Sequence, residues 1–357
     1  MNNKMKLALT FTILVLATVS SVYPTTRRVN NNSGVTGTLV YSSLSAAYTA
    51  ATAGDTIIVE GSNTAYTDLT AIAKKITIFG PGYQLSQNPQ TQASLLTATL
   101  GDLSFNTGSA GSLISGCIIN SITVNANDIT IARNYIKNAT TASASILLNA
   151  NTTNTIIQQN IVWGLITNTA GKNASVVVRN NLLGRVYFTS DMTSVLISNN
   201  TIEYEYTYNS SQTYCIDVYN ATIINNIFVS YYYAYYGTWH GVLKFDGTQN
   251  NTVSYNVFAQ PDPANGLTGT GNQYSVVTTN QFSGTGSGDI DKNYIVKSGS
   301  ESEDGSQTGG ECGMFGGDYA YVLSGMPPIP HIYKIDADPA GNNTAPLNVK
   351  ISVKSQN

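Results

Sequence analysis

Charge is the scarcest thing in this chain. Asp, Glu, Lys and Arg make up 10% of its 357 residues, against about a quarter of a typical soluble domain. The formal net charge is −3 and no basic block occurs, which excludes the electrostatic footprint of a DNA- or RNA-binding protein. Histidine occurs twice, at His240 and His331, and cysteine three times, at Cys117, Cys215 and Cys312. Three cysteines are too few for a disulfide framework and lack zinc-ligand spacing. An oxidising compartment would accommodate one pair, for example Cys215 with Cys312, and one buried thiol. Long apolar runs are missing after the N-terminus, so no membrane span is expected in the mature chain.

The N-terminus is the exception to that last absence. "MNNKMK" supplies two lysines, "LALTFTILVLATVSS" an apolar segment shorter than the roughly 20 residues that cross a bilayer, and Val19-x-Ser21 small residues for cleavage. Residues 1–21 therefore read as a signal peptide and the mature chain as secreted, extracellular or at the cell surface. Amides, hydroxyls and 23 tyrosines then supply the polar surface that charge does not.

What is abundant is also periodic. Aligned under one another, "ITIARNYI" (129–136), "TIIQQNIV" (155–162), "VVVRNNLL" (176–183), "VLISNNTI" (195–202), "TIINNIF" (222–228), "TVSYNVF" (252–258) and "VVTTNQF" (276–282) share one asparagine. The shared positions are Asn134, Asn160, Asn181, Asn200, Asn226, Asn256 and Asn280, with Cys117 of "LISGCII" in the same column. A constant short motif at irregular intervals of about 20 to 30 residues signals stacked solenoid coils whose turns accept insertions. Coils stack about 4.8 Å apart, so like residues form ladders. The expectation is that Asn226 occupies a left-handed bend between Asn200 and Asn256, and that Asn225 faces solvent. In "SSLSAAYTAATAGDTIIVEG" (42–61), Leu44, Ala47, Tyr48 and Ala51 have helical spacing and Gly54 stops the helix, so a capping helix should cover the first coil.

With "AAYTAATAGDTIIVEG", "ITIFGPG" and the repeated I-x-x-N-x-I on the page, the chain resembles the right-handed parallel β-helix, or pectate-lyase-like, superfamily. Its C-terminal "DGSQTGGECGMFGGDYAY" and "GMPPIPHIYKI" are similar to the ends of secreted bacterial members of unassigned activity. The resemblance implies an all-β solenoid with three strands per coil over 22–325, a cap near 35–55, and a strand-rich tail at 326–357 packing on the solenoid. It implies no single activity, because this solenoid hosts lyases, hydrolases, adhesins and shafts.

In the enzymes of that superfamily substrate lies along the outside of one sheet. The segments "ILLN" (146–149), "VYFT" (186–189), "IDVY" (216–219) and "LKFD" (243–246) align by alternation, with Ile146, Val186, Ile216 and Leu243 inward. The outward columns become Leu147, Tyr187, Asp217, Lys244 and Asn149, Thr189, Tyr219, Asp246. Asp217, Lys244 and Asp246 are thus the catalytic candidates: Lys244 as the base of a lyase, or Asp217 and Asp246 as the acid and base of a hydrolase. The alternative is an Asp217–Lys244 cross-strand ion pair. The calcium-binding carboxylates with a nearby arginine found in pectate lyases have no clear counterpart here.

Two tyrosine-rich insertions, "EYEYTYNSSQTY" (203–214) and "YYYAYYGTWH" (231–240), add Tyr204, Tyr206, Tyr232, Tyr235 and Trp239 to Tyr187 and Tyr219 as candidate glycan contacts. The loop 286–311 carries Asp289, Asp291, Glu301, Glu303, Asp304 and Glu311 without a calcium-loop spacing, and reads as a solvated acidic loop to which Ca2+ could bind. The function expected is a glycan-facing binding or adhesive solenoid, with a polysaccharide lyase or hydrolase and a self-associating structural protein as alternatives.

Overall fold

The computed structural model describes residues 24–357 apart from 89–90, 138–143, 204–213, 234–236, 241, 245–246, 262–268, 285–288, 339–346 and 356–357. Thr26–Val29 pairs with Val40–Tyr41 and Thr56–Val59, and from there one parallel sheet continues strand by strand to Thr252–Ser254. This is the first face. A second sheet of 14 strands supplies the other two faces. Ile118–Ile119, Tyr135–Lys137, Thr201–Glu203 and Ile227–Val229 lie on the second face, and Leu103–Phe105, Ile122–Val124, Ala144–Leu148 and Tyr214–Asp217 on the third. The strands Ile161–Asn168 and Leu182–Tyr187 run through the corner and belong to both. The bend in Ile161–Asn168 falls at Gly164, whose φ is +108°; an added Cβ would stand 2.4 Å from Ser145 Oγ. The protein is an all-β parallel β-helix with three-strand coils.

The interior follows from alternation. On the first face the register stacks Ile57, Ile78, Ile114, Ile131, Ile157, Val178, Ile197, Ile223 and Val253, each fully buried. β-branched side chains fit that pleated column without losing further rotamer freedom. A short helix, α1 (Leu44–Ala50), begins at Ser43, whose side chain accepts the Ala46 N–H, and buries Leu44 and Ala47 against the first strands.

The asparagine column is a continuous buried ladder from Asn134 to Asn256. Asn200 shows the pattern: its Nδ2 donates to the carbonyls of Val178 (2.9 Å) and Ser198 (3.1 Å) and to Asn226 Oδ1 (3.0 Å), and its Oδ1 accepts the Asn181 N–H (3.0 Å). Cys117 starts the column by donating its N–H to Asn134 Oδ1. Asn280 is not part of it. That residue is exposed in a 3-10 turn (Thr278–Asn280), and Asn256 instead donates to Asn272 Oδ1. The pattern around Asn280 is a chance repeat of the motif; the next coil arrives 16 residues after Asn256.

The bend also lies elsewhere than expected. Positive φ falls one residue before each rung, at Gly116, Arg133, Gln159, Asn180, Asn199, Asn225, Tyr255 and Gly271. The rung itself must aim its amide at the carbonyl two residues back and at the neighbouring coil, so the preceding residue makes the turn. Nor does Asn225 face solvent: its Oδ1 accepts the Gln307 N–H and its carbonyl the Gly313 N–H.

Those contacts belong to a strap. Residues 305–327 run back along the bend column towards the N-terminal coils. Asn180 Nδ2 donates to Gly316 O (2.7 Å), Gln159 Nε2 to Ala320 O (2.6 Å), Arg133 Nη1 to Met326 O (2.9 Å), and Tyr83 N to Ser324 O (2.9 Å). At Gly325, with φ +54°, an added Cβ would sit 2.2 Å from the Tyr83 ring, so the strap needs glycine there. Together with residues 276–284 and 289–296 it buries the outward side chains Ile161, Leu182, Ile227 and Val257 of the second face beneath Phe282, Tyr294, Met314 and Tyr321. The second face is therefore covered on its outer side, where Thr201 in the same column accepts the Met314 N–H.

The expected disulfide is absent: all three cysteines are buried free thiols. Cys215 points into the solenoid, where its Sγ meets Val242 O, whereas Cys312 lies in the strap against Tyr255 O. The solenoid wall separates them, and burial pushes the Cys117 and Cys312 thiols up to about 12. The tail forms an antiparallel hairpin of His331–Ala337 with Val349–Lys354.

Candidate functional site

The second face is covered, and the candidate residues belong to the outward columns of the third. Register places Ser104, Thr123, Leu147, Thr167, Tyr187 and Asp217 in one column, and Lys244 follows Leu243, the partner of Ile216. Thr167 thus stands between Leu147 and Tyr187, which alternation in the sequence makes neighbours. The strand Ile161–Asn168 passes the corner without a break, and its lone Gly164 reads equally well as a bulge inside one strand, so its second half is not marked as a separate segment.

Asp217 and Lys244 do meet. Lys244 Nζ lies 3.2 Å from Asp217 Oδ2, and Gln249 Nε2 donates to Asp217 Oδ1 at 2.8 Å. Both carboxylate oxygens are engaged and Asp217 is only 8% exposed, so it ties consecutive coils together and offers no open oxygen to a substrate. Asp246, Tyr204, Tyr206 and Tyr235 lie outside the described residues. Tyr187 is 37% exposed and Tyr219 half-buried. His240 and His331 are both buried, and burial lowers the His240 pKa.

The second tyrosine insertion forms a hairpin in which Tyr231–Tyr233 pairs antiparallel with Thr238–His240. Tyr232 stands opposite Trp239 with ring centroids 5.7 Å apart, and Tyr232 is 53% exposed. The hairpin leaves the coil between Ile227–Val229 on the second face and Val242–Leu243 on the third. The first insertion leaves at the same corner of the preceding coil, between Thr201–Glu203 and Tyr214–Asp217. The second insertion therefore leaves the coil at the edge of the third face, where Asp217 and Lys244 lie; residues 204–213 of the first lie outside the described residues.

The acidic loop is dispersed and partly buried. Glu301 accepts from Gln281 and Glu303 from Ser298 and Gly299, while burial raises the Glu311 pKa. Asp289 and Asp291 are 3% and 0% exposed; the expectation of a solvated loop fails for them, and at Asp291 the strap residues Tyr321 and Ser324 supply the cover. Asp291 accepts the Ser324 N–H (2.6 Å) and Asn88 Nδ2 (3.2 Å), with the Tyr321 hydroxyl 3.5 Å away and hydrogen-bonded in turn to Tyr83 at 2.7 Å. Lys292 pairs with Asp289 at 3.0 Å. Burial, and then the adjoining Asp289 carboxyl, push Asp291 up to about 7. The sequence carries no signal for this cluster, because its members come from residues 83–88, 289–292 and 321–324. Among the described residues no group of three or more His, Cys, Asp or Glu is arranged to hold a metal ion.

A scan against protein-family models finds no match, and neither does a comparison with curated proteins. Among solved structures, the deglycosylated pectin methylesterase of Aspergillus niger is similar over 72% of this chain and 87% of that one, at 12% identity and a TM-score of 0.30. At that level of likeness the class of protein, a three-faced parallel β-helix, rests on the sheet topology described above.

Proposed function

We propose that this is an extracellular β-solenoid of the pectate-lyase-like kind that binds a polysaccharide strand along its third face, gripping it with the aromatic corner. The observation that carries this reading is the Tyr232–Trp239 pair, held on a hairpin at the edge of that face with Tyr232 half exposed. Flat rings with a polar edge stack on sugar rings and hydrogen-bond at their rim. Asp217, buried and tied to Lys244 and Gln249, is poorly placed as a general acid or base, which needs an oxygen within reach of substrate, and this favours binding over hydrolysis. Lys244, with its side chain 31% exposed, is the group that the cleavage assay tests. Export, which the N-terminal pattern implies, would place this face among cell-wall or surface glycans.

Retention and chain cleavage should be measured together on a polysaccharide panel. The Tyr232→Ala/Trp239→Ala variant is expected to bind about tenfold or more weakly, the equivalent of one aromatic platform. The Asp217→Asn/Lys244→Ala variant, if still folded, should bind within about threefold of wild type. Cleavage by wild type that disappears with Lys244→Ala would replace this reading with the lyase one.

A further inference from the structure

The C-terminal hairpin turns its apolar side to solvent. Ile332 stands opposite Val353, Ile335 opposite Ile351 and Ala337 opposite Val349, whereas His331 faces Lys354, Lys334 faces Ser352 and Asp336 faces Lys350. Side chains alternate along Val349–Lys354, and a register shift between Ile332 and Lys334 brings Ile332 onto the side of Ile335 and Ala337, so the first three pairs share one side of the ribbon and the polar pairs the other. Ile335, Val349, Ile351 and Val353 are 54%, 51%, 55% and 57% exposed, and the adjoining Leu347 is 51% exposed. The ribbon follows Pro327, Pro328 and Pro330, which stiffen the link, and its base is joined to the body by the Ala93 N–H to the Ile332 carbonyl. A two-stranded ribbon is marginally stable by itself in water, and a contiguous apolar patch of this kind marks a surface that another molecule covers.

We propose that a second copy of this chain covers it, with two hairpins stacked apolar side to apolar side about a two-fold axis to form a small four-stranded sandwich. Three features select a second copy over a foreign partner. All the ribbon's charges lie on the opposite side, so the buried side carries no charge with which to specify a different protein. A flat apolar β surface is complementary to itself, and interfaces between identical chains are the more apolar class. The side exposes on the order of 500 Å² per copy, so pairing buries about 1,000 Å², the size at which specific association begins.

Light scattering on size-exclusion fractions tests this on the purified protein. At about 100 µM, where a micromolar association is saturated, wild type is expected at twice the monomer mass. The Ile335→Lys/Ile351→Lys variant should be monomeric, and Lys334→Ser/Lys350→Ser, on the other side of the ribbon, should remain dimeric. A monomeric wild type, or a dimer that survives the two lysines, would overturn the proposal. Should the lysines unfold the hairpin itself, Ile351→Cys in the otherwise unchanged chain gives an independent reading, because the native thiols are buried. A bismaleimide with a spacer of ~10 Å, the distance between packed sheets, should then link two chains, and failure to link them would reject the stacked pair.

Discussion

Asn200→Ala is expected to lower the unfolding free energy by about 4 kcal/mol, at the upper end of single-residue effects. Asn200 is fully buried. Its loss withdraws a donor from Val178 O, Ser198 O and Asn226 Oδ1 and leaves the Asn181 N–H without its acceptor. Each broken bond to a buried group costs roughly 1–3 kcal/mol, and a chain of polarised amides loses more than its members taken singly. Two controls separate rung from bend. Asn225→Gly keeps the left-handed turn and gives up only the Gln307 bond, so it should cost about 1 kcal/mol or less. Asn280→Ala, exposed and outside the ladder, should change stability by no more than about 0.5 kcal/mol. Guanidinium unfolding of the three variants checks this; equal midpoints for Asn200→Ala and Asn280→Ala would refute the ladder's role.

The second large effect concerns pH. Asp291, ordinarily near 3.8, sits at about 7 in the fold because burial and Asp289 disfavour its ionised form. A carboxyl raised on folding contributes stability that is complete below pH ~4, where the unfolded chain is also protonated, and that is lost as pH climbs through about 7. A rise of that size is equivalent to roughly 4 kcal/mol at most. Asn cannot ionise and its Oδ1 can still accept the Ser324 N–H, so Asp291→Asn is expected to equal or trail wild type at pH 4 and exceed it by a few kcal/mol at pH 8. The quantity to plot is the stability difference between the two proteins against pH, which cancels the other titrating groups. A flat difference from pH 4 to 8 would show that Asp291 does not control how firmly the strap is seated.

Much of the wall of this molecule could be read from the chain alone. Ile131, Ile157, Val178, Ile197 and Ile223 recur at a constant offset from their asparagines, and six of the seven expected rungs stand where alignment puts them. The reason is that a coil's inward side chains and its rung are set within about eight consecutive residues, a range over which alternation is visible. Asn280 failed because the same local pattern also arises by chance, and because the coil ending at Asn272 follows the 262–268 segment with no apolar frame to align. The Asp217–Lys244 contact was legible for the same local reason, as a cross-strand neighbour; its closure by Gln249 was not.

The sequence by itself determined a parallel β-solenoid with an asparagine ladder and a capped first coil, because repeated short strands leave a periodic record in the residues. Only the tertiary structure decided that the bend falls one residue before each rung, that the second face is sealed by the strap and the segment before it, and that Asp289 and Asp291 are buried. The last two of these depend on partners as remote as Arg133 and Met326, 193 residues apart. Burial created by a segment that folds back across several coils has no period, and so leaves no pattern in the chain that it covers.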